Sequence, residues 1–165
     1  MAQDHSFDVV SKVNMQELRN AVAQAQKELS TRFDFKGSGA CITFEETPPL
    51  LKVAADDAAQ LRSVVEVVES KLAKRGVSLK ALAWGQPEQL PSGGMKRQAS
   101  VQQGLSSDKA REITKTVKEL GLKVQPRIEG DAVRIVAKQI DDLQTVVQTI
   151  RGTDFGVPIQ VENYR

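Results

Sequence analysis

The chain has 165 residues, 23 Lys and Arg against 21 Asp and Glu, a formal charge of +2 and 40% hydrophobic residues. That composition supports one medium core or two small ones and excludes wholesale disorder. The weak charge excludes the strong, salt-sensitive phosphate binding of a basic protein, so any polyanion site must be local. Cys41 is the single cysteine and His5 the single histidine, which excludes an internal disulfide and leaves almost no room for zinc clusters, multi-histidine centres or Ser-His-Asp and Cys-His catalysis. No apolar run approaches the roughly 18 residues of a membrane span, and the opening MAQDHSFDVV carries no signal-peptide pattern. The expectation is a cytoplasmic protein that makes no membrane contact.

Phe7–Val10 reads as a short strand. Asn14, with Glu17 three residues on, opens a helix whose apolar stripe is Met15, Leu18, Val22, Ala25 and Leu29. Arg32–Lys36 alternates strictly and stops at Gly37, and Ile42 and Phe44 alternate again. After Pro48-Pro49 a strand returns through Leu51, Val53 and Ala55. A second helix starts near Asp57 with Leu61, Val64, Val65, Val68 and Leu72 inward, and Gly76 ends it. Leu79, Ala81 and Ala83 read as the closing strand.

The segment GQPEQLPSGG at 85–94 has no apolar period and reads as a linker. Beyond it Met95–Gln102 is a strand, and Ser107-Asp108 opens a helix with Ala110, Ile113, Val117 and Leu120 inward. Val124–Ile128 and Val133–Ala137 form a hairpin about Gly130-Asp131. Asp141-Asp142 open a last helix with Leu143, Val146, Val147 and Ile150 inward, and Ile159 and Val161 mark a terminal strand.

Both halves therefore read strand–helix–strand–strand–helix–strand. At an offset of 82, Leu51-Lys52-Val53 aligns with Val133-Arg134-Ile135, and Leu61, Val64 and Val65 align with Leu143, Val146 and Val147. A repeated six-element unit points to duplication. The expected fold is α+β: two tandem ferredoxin-like (βαββαβ) domains with antiparallel sheets, at 1–88 and 95–165 with 85–94 as linker.

Such sheets carry helices on one face only. In the second half the open face collects Lys96, Gln98, Ser100, Gln102, Lys123, Gln125, Arg127, Arg134, Lys138, Gln160 and Glu162. One reading is a solvated surface; the other is an anion platform, with Arg supplying paired donors and Gln reading base edges. The first-half face collects Val10, Cys41, Thr43, Leu50, Lys52, Ala54, Leu82 and Trp84, an apolar set that points to burial against the other half or a partner. The strands 50–55 and 132–138 hold no aromatic residue, unlike an RNA-recognition motif of the usual kind. In STRFDFKG at 30–37, Phe33 and Phe35 share one side while Arg32 and Lys36 flank Asp34 on the other. Those charges are either a paired edge or phosphate donors. No phosphate-loop lysine or dinucleotide glycine motif occurs, and the acidic pairs sit at strand ends or helix starts, where capping explains them. No catalytic residue, metal ligand or cofactor is expected.

The segments SFDVVS at 6–11, STRFDFKG at 30–37, GLKVQ at 121–125 and DDLQ at 141–144, with the ending from Arg151-Gly152 through Asn163-Tyr164-Arg165, resemble the YajQ family of bacterial proteins from end to end. The resemblance implies paired ferredoxin-like domains that exchange a strand. It also implies a nucleotide-binding protein without a catalytic motif, with nucleic acid, guanine nucleotides or cyclic di-GMP as ligands and a link to transcriptional control in some members. The combined expectation is a nucleotide-binding effector that senses a cyclic dinucleotide or binds RNA, with nucleic acid or a transcription factor as partner. Its site residues are Arg32, Lys36, Lys96, Arg127, Arg134 and Lys138. The alternative is a cytoplasmic assembly or chaperone-like factor acting through the apolar first-half face.

Overall fold

Side-chain caps start three of the four helices. Asn14 accepts from the Glu17 amide, Asp57 from Gln60 and Ser106 from Lys109, each satisfying an amide that has no partner within the helix. The computed structural model describes residues 4–165. In chain order the elements are β1 (His5–Val10), α1 (Met15–Thr31), β2 (Cys41–Glu46), β3 (Pro49–Ala55), α2 (Ala58–Lys74), a 3-10 turn at Leu79–Ala81, β4 (Leu82–Trp84), β5 (Glu88–Gln89), β6 (Met95–Val101), α3 (Ser107–Glu119), β7 (Val124–Glu129), β8 (Ala132–Ala137), α4 (Ile140–Arg151) and β9 (Gln160–Glu162).

The strands form two antiparallel sheets, ordered β7-β8-β1-β9 and β2-β3-β6-β4, with β5 also on β6. Each is the ferredoxin-like order, but the two opening strands have changed places. β1 pairs with β8, Phe7 opposite Ile135 and Val9 opposite Val133. β6 pairs with β3, Ala99 opposite Leu51. The compact units are accordingly Val13–Gln102, and Gln103–Arg165 with the residues through Lys12, instead of a division at 85–94. That segment is a hairpin loop inside one unit: the Gly85 amide donates to the Gln98 carbonyl at 2.8 Å, and the Leu90 amide to the Gly94 carbonyl at 3.0 Å. The chain passes between units after Lys12 and after Gln102.

The duplicated positions play duplicated roles. Leu51 and Val53 in one unit, and Val133 and Ile135 in the other, are at most 1% exposed beneath their helices. Leu61, Val64 and Val65 of α2 belong to the first core, and Leu143, Val146 and Val147 of α4 to the second.

Three local expectations are corrected. Arg32–Lys36 is a turn in place of a strand, so alternation does not operate there: Phe35 is 3% exposed and Phe33 is 96% exposed. The 3-10 turn before β4 shifts the alternation, so Leu82 and Trp84 pack on the helix side with the core. Val10 lies in the other sheet. The open face of β2-β3-β6-β4 therefore carries Lys52, Gln98, Lys96 and Ser100 among Cys41, Thr43, Leu50 and Ala54, and the apolar face on which an assembly-factor role rested does not form.

Candidate functional site

Strand exchange divides the expected site residues between the two units. Lys96, on β6, lies in the unit of Arg32 and Lys36, while Arg127, Arg134 and Lys138 lie in the other. Several of these charges are already engaged. Lys96 faces Glu88 at 3.5 Å. Arg32 holds Asp34 through two hydrogen bonds of 2.8 and 2.9 Å and Glu28 through a third of 3.1 Å.

On the open face of the β1 sheet, register places Arg127, Arg134, Asp8 and Glu162 in one row across four strands. Arg134 Nε donates to Asp8 at 2.9 Å, and its Nη1 lies 3.2 Å from Glu129. Asp8 is 7% exposed, and the Arg134 guanidinium holds its carboxyl below the usual range, assisted by Asn163. The row is thus largely self-neutralised. Arg127, hydrogen-bonded to Gln125 at 3.4 Å, and Lys138 have no ion-pair partner among the described residues.

The more complete site in this unit was not expected from the sequence. β1 and β9 pair regularly at Asp8–Glu162 and Val10–Gln160, which would next set Ser6 opposite Tyr164. Instead the Arg165 amide donates to the Ser6 carbonyl at 3.0 Å and the Ser6 amide to the Arg165 carbonyl at 3.2 Å. One extra residue has entered the terminal strand. Asn163 absorbs it at φ 57°, a left-handed conformation that Asn tolerates, and its side-chain amide donates to Asp8 at 2.9 Å. This bulge turns Tyr164 from the open face to the helix side, where its ring lies 5.9 Å from that of Phe7.

There Tyr164, 62% exposed, walls a groove of about 550 Å³ along α4. Its floor is Ile140, Leu143 and Val147, and Gln144, Gln148 and Arg151 stand along the same helix at spacings of four and three. His5, Ser6 and Arg165 close the strand side, and no carboxylate side chain lines the groove among the described residues. Its volume falls within the roughly 300–1,000 Å³ of small-molecule sites. An apolar floor, an aromatic wall, two amides and a cation match a flat heteroaromatic ring carrying an anion. The signals were present in sequence as the α4 stripe Gln144, Gln148, Arg151 and the bulge-prone Asn163, but the alternation that sets Gln160 and Glu162 on the open face stops short of Tyr164 and says nothing of the bulge.

A protein-family model described as nucleotide-binding protein YajQ-like matches residues 5–165. A nucleotide-binding protein of Trichlorobacter lovleyi is 50% identical over 161 residues, covering 97% of this chain and 98% of that protein. One from Geotalea daltonii is 48% identical over 161 residues with the same coverage. One from Desulforamulus reducens is 43% identical over 165 residues, covering 100% of this chain and 99% of its own.

Proposed function

The chain belongs to the YajQ-like nucleotide-binding family, and we propose that it binds a nucleotide without turning it over, in the groove between α4 and the bulged terminal strand. The observation that carries this reading is the bulge at Asn163, which delivers the Tyr164 ring to a groove bearing Gln144, Gln148 and Arg151. The base lies against Tyr164 and the apolar floor, the two glutamines meet its polar edge, and Arg151 meets phosphate. The guanine nucleotides and cyclic di-GMP expected from the family belong to the same ligand class.

The test is a thermal-shift and calorimetric panel of AMP, GMP, GTP and cyclic di-GMP at fixed salt. A ligand at about 100 times its dissociation constant adds roughly 2.7 kcal/mol of stability. Tyr164→Ala and Arg151→Glu should each weaken binding at least tenfold, about 1.4 kcal/mol. If only Arg127→Glu and Lys138→Glu weaken it, the ligand lies on the open sheet face and the groove assignment fails. If nothing on the panel binds, the functional reading itself fails.

A further inference from the structure

β7 is the outer strand of its sheet, and its core side is incompletely covered. Val124 packs on the core, but Ile128 is 48% exposed although Val133, opposite it, is wholly buried. The helix on that side is α3, which turns Ala110, Ile113 and Val117 inward and leaves a groove of about 590 Å³ beside the strand. Arg111, Lys115 and Lys118 stand along its helix wall at spacings of four and three, a row about 10 Å long. Arg111 meets Asp108 at 3.6 Å with both side chains open to water, and Lys115 and Lys118 have no ion-pair partner among the described residues. Glu119 is the single carboxylate lining the groove among the described residues. Thr114 has spent its hydroxyl on the Ala110 carbonyl, at 2.8 Å.

We propose that this groove docks an acidic amphipathic helix of a partner protein, with one apolar side chain seated on Ile128 and carboxylates facing Arg111, Lys115 and Lys118. An uncovered apolar side chain beside a row of unspent cations defines its own complement, apolar at one point and acidic along one edge. Pro126, in the middle of β7, has no amide to give an added strand, so the strand edge is a poor template and a helix on the side chains is the better fit. A nucleic acid fits less well. No aromatic ring lines the groove to stack a base, and Glu119 interrupts the row for a phosphate backbone. The groove shares no residue with the one along α4, so the two assignments stand or fall separately.

The experiment is fluorescence anisotropy of the full chain with a fluorescein-labelled, alanine-based helical peptide of about 15 residues. The peptide carries one Leu and, on the same face, Glu residues at spacings of four and three. The wild type should bind it, less tightly as salt rises. Lys115→Glu combined with Lys118→Glu should weaken binding at least about tenfold, and should gain affinity for the same peptide with Lys in place of Glu. That swap separates lost complementarity from a misfolded variant. Ile128→Ser, at an exposed side chain, should weaken binding at least about fivefold. Lys74→Glu, exposed on α2, should change it little. No saturable binding by wild type overturns the proposal, as does Ile128→Ser binding like wild type. An equal loss in Lys74→Glu overturns it too, since net charge then explains the effect. Tighter binding of an oligouridylate strand than of the peptide, with the same sensitivity to the α3 reversals, would make the groove a nucleic-acid track instead.

Discussion

Asp8 and Arg134 are 126 residues apart in the chain and directly opposite one another in the sheet, joined by hydrogen bonds of 2.9 and 3.4 Å. Asn163 completes the cluster from the terminal bulge, so one buried carboxylate ties β1, β8 and the end of β9 together. Asp8→Ala should therefore cost about 2 kcal/mol in urea unfolding, the scale of hydrogen bonds to a charged group. It should also weaken nucleotide binding by loosening the bulge that aims Tyr164. Asp8→Asn, which keeps the shape, should be milder on both counts.

The same carboxylate sets a pH dependence. Its folded proton affinity is depressed, chiefly by the hydrogen bond from Arg134, so its contribution is present above the ordinary carboxylate range and lost as pH falls through it. The stability difference between wild type and Asp8→Asn should be flat above about pH 5 and shrink below about pH 4. A difference that grows on acidification would contradict the assignment.

Fragment boundaries should follow the exchanged strands. Residues 13–102 contain every strand of one sheet, including β6 between β3 and β4, and should melt cooperatively alone. Residues 1–88 lack β6, leave β1 without its partners and should aggregate or stay partly unfolded. A cooperative melt of 1–88 near that of the full chain would contradict this.

Two phenylalanines two residues apart should behave oppositely. Phe35→Ala empties a core position and should cost about 3 kcal/mol. Phe33→Ala should change stability by no more than about 0.5 kcal/mol, as an exposed surface site does. Denaturant titration of both variants decides it.

ATP, GTP and cyclic di-GMP should be returned unchanged after incubation with the chain. Among the described residues no three His, Cys, Asp or Glu side chains are grouped to hold a metal ion, and Cys41 is exposed on a sheet face with Ala54 opposite and no histidine in its row. Turnover that co-purifies with the protein and disappears on point substitution would refute this.

Most element types were legible because each rests on local chemistry: the caps at Asn14 and Asp57, the stripe from Leu61 to Leu72, the positive-φ glycines at 76, 121 and 130. Partnership was not legible from pattern. Alternation tells that Phe7 and Val9 face one way, but either sheet would accept them, and only the resemblance to a family raised the exchange. The face of Leu82 and Trp84 was misread because a 3-10 turn before Leu82 shifts a period of two by one. The extra residue at Asn163 does the same to Tyr164, whose face no pattern in the sequence had set. At Arg32–Lys36 the period itself was accidental, since backbone hydrogen bonds to Arg32 hold a turn.

The exchange also imposes a timetable on synthesis. Val13–Gln102 has all its strands once β6 has emerged, whereas β1 must wait for β8, more than a hundred residues later. At about 5–20 residues per second that wait is on the order of ten seconds. Throughout it Phe7, Val9 and Val10 are without the neighbours that bury them in the finished protein. A nascent chain on the adjacent ribosome offers its own β8 in the same interval, so crowding on one messenger favours reciprocal insertion between two copies. Sparse initiation with rapid elongation should give the cleaner monomeric product.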